Sequence, residues 1–491
     1  MNEPIPFAKT FGPALILLLF PFLMHLAGTG TLPLVDRDEA WVAETAREMH
    51  ERGNYIVPYF NNEKSLTKPP LFYWGQTLSY RLFGENDFAA RFPSVVAASL
   101  ISLLIFGFGR RFYNEQTGFL AAVVFSLCLH ILLISKAAVM DMFMIFFVTL
   151  AIWAGWELLA IKEKPPSSLH FGFWWWIFYL ALAFGFLAKG PVAWIPLGNI
   201  IFFAIWARVR NVNEKMRFEK GIPLALLLVG LWVVPACILT KGEYFKIGFG
   251  NQFLLRFIKA DFGHGAHSLR GYFVTLPFYL VTLFFSFFPW SIYLPSMTGY
   301  FKKRKNRGVQ ELYLISNILP IFLIATLMVT KLPNYTLPAF PALALLFSRY
   351  WFKEKSSGAI FMTAATGMVV LNLVLAFILF PYWARYFPVP QLLHQSSAWL
   401  KPEMEFASTG YNEPSLVWYF RGKVRGWYYR LQSGEVDEFM KKPGPRFAIL
   451  PTQLVPEIFS KVDPHWKIIS AKGVNMGKMK QVNLTMLVKS E

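Results

Sequence analysis

Three acids within four residues and a rigid basic segment share one polar stretch of this chain. Asp36-Arg37-Asp38-Glu39 opens it, and Lys68-Pro69-Pro70 follows further along. A carboxylate held in place can take the proton of an incoming nucleophile. A Lys fixed by two prolines can neutralise an anionic leaving group. Asp141, Lys189, Arg256, His264, Lys331 and Tyr335 offer similar chemistry, each in a loop or near the end of a hydrophobic run. A plainer reading stands beside this one. Asp36 and Glu39 have the spacing of a capping box, Lys68, Lys189 and Arg256 can anchor to lipid headgroups, and Asp141 can pair with Lys136 or Lys189. Asp38 is left over, because a cap needs no second acid in the same turn. His264 and His267 have a spacing that suits a metal, but no nearby Cys or Glu completes a set, so neither a metal nor another cofactor is expected.

The elements that must position these residues are membrane helices. Of 491 residues, 55% are hydrophobic, 18% aromatic and only 16% charged, against about 25% charged in soluble domains. The formal charge of +19 is spread over short segments between hydrophobic runs. That pattern reads as topology signals and not as a nucleic-acid surface. Cys128 and Cys237 both fall inside hydrophobic runs, which argues against a disulfide framework or a thiolate metal site.

Runs near 11–29, 91–109, 117–135, 139–160, 172–188, 191–208, 222–240, 272–296, 311–329, 333–351 and 359–381 give about eleven expected spans. The first could be a signal peptide ending near Leu26-Ala27-Gly28, but later spans need a partner of matching orientation, which favours an uncleaved helix. About 18 bases fall on one side of the alternating connections and about three on the other. The basic side is cytoplasmic, so loops 30–90 and 241–271 and the C-terminal tail face outward. Within the first loop, Trp41, Val42, Thr45, Ala46 and Met49 repeat at helical spacing, as do Leu71, Trp74, Leu78 and Leu82. Both read as amphipathic helices lying on the membrane surface. From about Tyr382 the composition turns soluble, with strands expected at 406–410, 446–451 and 482–488 and helices at 414–420 and 434–442. The expected fold is mainly α: a polytopic bundle over residues 1–381 carrying external surface helices, and a small extracytoplasmic α/β domain over 382–491.

A set of motifs then recurs in a fixed order: Asp38-Glu39, Arg47-Glu48-Met49, Lys68-Pro69-Pro70-Leu71, Tyr73-Trp74, Phe83-Gly84-Glu85 and Arg91-Phe92-Pro93-Ser94. Asp141, Leu187-Ala188-Lys189-Gly190-Pro191, Arg256-Phe257 with His264, Pro289-Trp290 and Lys331-Leu332-Pro333-Asn334-Tyr335 follow. Together they resemble the GT-C-type glycosyltransferases, in the branch of the aminoarabinose lipid A transferases and relatives of protein O-mannosyltransferases. The resemblance implies an inverting transferase of the bacterial inner membrane with its site facing the periplasm. It would move a sugar from a polyprenyl monophosphate to lipid A, another glycolipid, a glycan or a protein. It also implies Asp38 and Glu39 in catalysis, Lys68, Lys189, Arg256 and Tyr335 around the donor phosphate, and Asp141, Lys331 and His264 in support. Thr67 stands where aminoarabinose transferases commonly carry a Glu before the Lys-Pro-Pro, which bears on the acceptor and on any metal. The competing classes are a transporter or flippase for a lipid-linked substrate, and a membrane scaffold. Transporters usually carry polar residues at mid-membrane and paired halves, whereas here the polar residues gather at the outer ends of spans.

Overall fold

The computed structural model describes residues 7–160, 172–254, 269–354 and 357–490. Arg256, His264 and His267 lie outside them. Most of the described residues are helical, and among them five helices are long and apolar enough to cross a membrane: Asp87–Phe112, Asp141–Ala160, Phe218–Leu239, Val309–Leu327 and Gly358–Ala384. Two of these are two-thirds buried within the protein, Asp87–Phe112 and Asp141–Ala160, while Phe218–Leu239 is only 22% buried. The first two form the centre of the bundle and the third faces outward along most of its length. Helices pack closely where side chains are smallest. A Cβ on Gly109 would sit 2.6 Å from Gly118 Cα, so Asp87–Phe112 and Glu115–Ser126 touch backbone to backbone.

The expected set of eleven uninterrupted spans is not what the described residues form. The run at 117–135 breaks into Glu115–Ser126 and Leu129–Ile134. The run at 272–296 is bent by 118° between Arg270–Ser286 and Trp290–Lys302. These two breaks repair each other, since the Leu129 N–H donates to the Phe288 carbonyl at 3.0 Å. Hydropathy does not record such breaks, because a broken helix is tolerated in an apolar run when neighbouring groups satisfy its backbone.

Between the first two long apolar runs, residues 30–86 form a compact layer. Helix Asp38–Arg52 ends at Gly53, whose φ of 62° is the left-handed cap a glycine accepts without strain. A two-stranded hairpin, Tyr59–Phe60 with Glu63–Lys64, follows, then helix Leu71–Phe83. The second helix matches its expected amphipathic character, with Leu78, Leu82 and Phe83 exposed in a row at its end. The first does not lie on a surface. Every residue from Glu39 to Met49 except Trp41 is buried, because Leu71–Phe83 covers one side and helix Pro414–Arg421 of the C-terminal unit covers another.

That C-terminal unit is a five-stranded sheet flanked by helices. Its strand order is Tyr428–Arg430, Glu405–Ser408, Arg446–Pro451, Lys480–Lys489, Lys467–Asn475. The first three run parallel, and Lys480–Lys489 lies antiparallel between Arg446–Pro451 and Lys467–Asn475, with Phe406 opposite Phe447 and Ile449 opposite Met486 in register. Phe406 stacks on Phe447 within its core, with Phe420 tilted against both.

Candidate active site

The N-terminus of helix Asp38–Arg52 is held by one buried ion pair. Arg91 Nε and Nη2 donate to Glu39 Oε1 and Oε2 at 2.9 and 2.8 Å. Arg91 Nη1 also donates to the carbonyls of Thr29 and Leu32 at 2.7 and 2.5 Å. Glu39 accepts in addition from the N–H groups of Val35 and Ala138, at 2.9 and 2.7 Å. Both partners are buried. The two oxygens of Glu39 are thus shared among four donors, an arrangement that fixes the start of the helix. Arg91 enters the sequence reading only as part of a motif, and its pairing with Glu39 is not read there. Its signal was a charged side chain inside the start of an apolar span, which demands a partner.

For Asp36 the structure corrects the capping reading. The residue does not cap helix Asp38–Arg52, whose N-cap is Arg37 with no side-chain bond. Its carboxylate accepts from Ser415, from the backbone N–H at 2.8 Å and the hydroxyl at 2.7 Å. Burial pushes the Asp36 pKa up to about 7; the two Ser415 bonds lower it, Glu413 raises it and Arg37 lowers it. The sign follows from the usual value near 3.8. The folded chain retains a proton between about pH 4 and 7 that the unfolded chain has lost. Stability should therefore be greatest below about pH 4 from this group, fall as pH rises to about 7, and level off above. Thermal unfolding of detergent-purified protein across that range should show this slope, and Asp36→Asn should flatten it. A slope unchanged in Asp36→Asn would assign it to another group.

Asp38 is exposed in the first turn of its helix. Its charge reaches Tyr73, whose phenol is raised above its usual range by burial first and by Asp38 second. Tyr244, just after helix Phe218–Leu239, lies close enough to Tyr73 for its own phenol to be raised by it after burial. The first helix and the hairpin together form one wall. Trp41 stacks on Phe60 with centroids 3.9 Å apart and donates from Nε1 to Ser65 Oγ at 3.0 Å. Lys68 is half-buried in the turn before helix Leu71–Phe83. A Cβ on Gly248 would stand 2.9 Å from the Leu66 carbonyl, so the π-helical segment Phe245–Leu254 runs against that turn.

The floor is built from span ends. Asp141 opens Asp141–Ala160, and its Oδ1 accepts from Lys189 Nζ at 2.5 Å and Asn334 Nδ2 at 2.9 Å. Of the two expected partners of Asp141, the structure selects Lys189; Lys136 instead donates to the Met24 and His25 carbonyls. Tyr335, half-buried, follows Asn334 directly. Lys331 is turned inward, toward the Ala325 and Thr326 carbonyls, with Tyr272 and Tyr279 rings beside it. The Glu39 bond to Ala138 joins wall and floor, since it ties the residue after Asp38 to the turn that leads into Asp141. Just beyond Asp141, an apolar cavity of about 310 Å³ lies between helix Leu71–Phe83 and the two central spans. Gly75, Leu78, Leu82, Phe143, Phe146 and Phe147 line it.

An exposed acid, a tethered Lys–Asp pair and an apolar cavity thus meet at one end of a helical bundle, under a layer of helices. The fold is that of the GT-C-type glycosyltransferases. Over 96% of this chain and 98% of the other, it is similar to the crystal structure of ArnT from Cupriavidus metallidurans bound to undecaprenyl phosphate, with a TM-score of 0.76 at 15% identity. It is also similar, at a TM-score of 0.52 and 11% identity, to the oligosaccharyltransferase AglB of Archaeoglobus fulgidus in complex with an inhibitory peptide and a dolichol-phosphate, over 91% of this chain and 70% of that one. Residues 67–237 match the family described as dolichyl-phosphate-mannose-protein mannosyltransferase. In sequence the chain is 30% identical over 353 residues to the undecaprenyl phosphate-alpha-4-amino-4-deoxy-L-arabinose arabinosyl transferase of Erwinia tasmaniensis, covering 70% of this chain and 60% of that relative. The chain thus spans about three fifths of the length of that curated relative.

Proposed function

We propose that the chain is an inverting glycosyltransferase that takes a sugar from a polyprenyl monophosphate and passes it to an envelope acceptor. The observation that carries this reading is the Glu39–Ala138 bond, which sets the segment bearing Asp38 against the turn bearing the Asp141–Lys189 pair. The acceptor nucleophile attacks the anomeric carbon on the face opposite the phosphate. Asp38 takes the nucleophile's proton as the new bond forms. The bond from carbon to phosphate oxygen breaks, and its electron pair leaves with the lipid phosphate. Lys68, Lys189, Tyr335 and Arg256 hold that phosphate, with Lys331 and His264 in support. Asp141 and Asn334 aim Lys189, whose ammonium keeps further N–H donors for an oxygen of the leaving group. The apolar cavity below Asp141 takes part of a lipid chain.

The site faces the periplasm from the inner membrane, and residues 382–491 form an extracytoplasmic domain above about eleven membrane passages, some of them broken. No divalent metal is required, because fixed cations suffice for a monophosphate leaving group. The test is sugar release from polyprenyl-phosphate-linked sugar by purified protein. Charge-assisted bonds to phosphate contribute about 1.5–3 kcal/mol each, so Lys68→Ala and Lys189→Ala should weaken polyprenyl phosphate binding about ten- to a hundredfold. Lys303→Ala, on the basic side, should bind as the parent does. Equal binding by all three variants would reject the phosphate site, and absence of sugar release by the parent would reject the transferase.

A further inference from the structure

The C-terminal sheet has the pattern in which a ligand site forms. Its first strand, Glu405–Ser408, has Tyr428–Arg430 on one side and Arg446–Pro451 on the other, all parallel. The chain passes from that strand to its neighbour on one side and then crosses to the neighbour on the other, and the crevice at the carboxyl end of such a reversal is where doubly wound sheets bind ligands. The strand leads through Thr409–Glu413 into helix Pro414–Arg421, whose first N–H groups lack intrahelical acceptors and favour an anion. Here that position is filled from within the chain, by the Asp36 carboxylate on the Ser415 N–H and hydroxyl.

The same helix grips the loop at further points. Tyr419 Oη accepts from the Leu34 N–H at 2.8 Å, two residues before Asp36. Tyr419 and Trp418 donate to the two Asp87 oxygens at 2.8 Å each. Glu413, just before the helix, pairs with Arg37 at 3.4 Å and accepts from Asn475 at 2.8 Å. At the far end, Arg421 pairs with Glu44 and Glu51 at 2.5 and 2.8 Å, and Arg47 donates to the Trp418 carbonyl at 2.9 Å. Helix Asp38–Arg52 is tied at both ends to one helix of the C-terminal unit. Asp38 sits between two fixed neighbours, Asp36 on the C-terminal unit and Glu39 on Arg91.

We propose that the C-terminal α/β unit is a clamp for the catalytic segment, with its switch-point helix holding Asp36 as an internal ligand so that Asp38 is set in place. This rests on the reading of Asp38 as the catalytic carboxylate. Asp36 is a positioning residue, and an Asn in its place can serve equally, accepting from the Ser415 N–H and donating to its hydroxyl.

The experiment measures amide hydrogen exchange and sugar release in parallel on full-length detergent-purified protein. Asp36→Ala should raise exchange at 34–41 and 414–418 at least tenfold, leave the bundle unchanged, and lower kcat at least tenfold with donor KM within about twofold. Asp36→Asn should restore both readouts. Ser415→Ala, which removes only the hydroxyl bond, should fall between and covers the case in which Asp36→Ala does not fold. Parent-like exchange in Asp36→Ala would overturn the clamp. An Asp36→Asn variant with parent-like exchange but the low kcat of Asp36→Ala would overturn the positioning role, because the charge itself would then act. Failure of the parent to release sugar rejects the transferase reading alone, and exchange still decides whether Asp36 clamps the loop.

Discussion

Purified Asp38→Asn protein is expected to transfer sugar about a hundred- to ten-thousandfold more slowly than its parent, the range for loss of a positioned acid–base group. Its thermal stability should change little. Asp38 is exposed at the start of its helix, where a carboxylate contributes about 0.3–1 kcal/mol through the helix dipole. Asn keeps the shape and loses only the basicity, so the deficit should fall in kcat and not in binding of polyprenyl phosphate. The companion variant Asp36→Asn sharpens the contrast, since it alters an acid two residues away whose task is positional. Near-normal transfer by Asp38→Asn would remove the base from the mechanism and move attention to Asp141. Asp141 is already committed to Lys189 and Asn334.

What the sequence disclosed divides along physical lines. Helix Leu71–Phe83 was legible because its stripe is written in local spacing, and Leu78 and Leu82 do face outward. The strands at 446–451 and 480–489 were legible for the same reason. The burial of helix Asp38–Arg52 was not, because it depends on partners more than three hundred residues away in sequence, such as Arg421 for Glu44. A surface helix and a helix buried by ion pairs show the same alternation of Glu and Arg. The breaks at 127–128 and 286–290 were hidden because hydropathy reports whether a segment is apolar, not whether its backbone is continuous. In the site, the Lys189–Asp141 pair was open as one of two alternatives, each a charge at a span end needing a partner. The Asp36–Ser415 contact had no signal at all, since neither residue is unusual in its own neighbourhood. Capping-box spacing even pointed the wrong way, to a local role for a carboxylate that reaches across the fold.

Glu39→Ala is expected to be the most damaging single change to the structure. It leaves Arg91, 2% exposed, without its counter-ion, and it strips the Ala138 and Val35 N–H groups of their acceptor. Removing one partner of a buried pair costs about 3–5 kcal/mol, a large part of the roughly 5–15 kcal/mol that holds a folded protein together. Thermal unfolding in detergent should therefore drop sharply, with most of the variant lost to aggregation during purification. Glu39→Gln retains the side chain's length and a carbonyl acceptor, so it should lie between the variant and the parent. Stability separates the two roles this residue could hold. If Glu39 fixes position, transfer by Glu39→Gln should decline in step with its stability and recover in conditions that stabilise the fold. A Glu39→Ala protein that unfolds at the parent's temperature yet transfers nothing would instead return Glu39 to the chemistry. It would also mean that the Arg91 pair matters little to the layer holding Asp38.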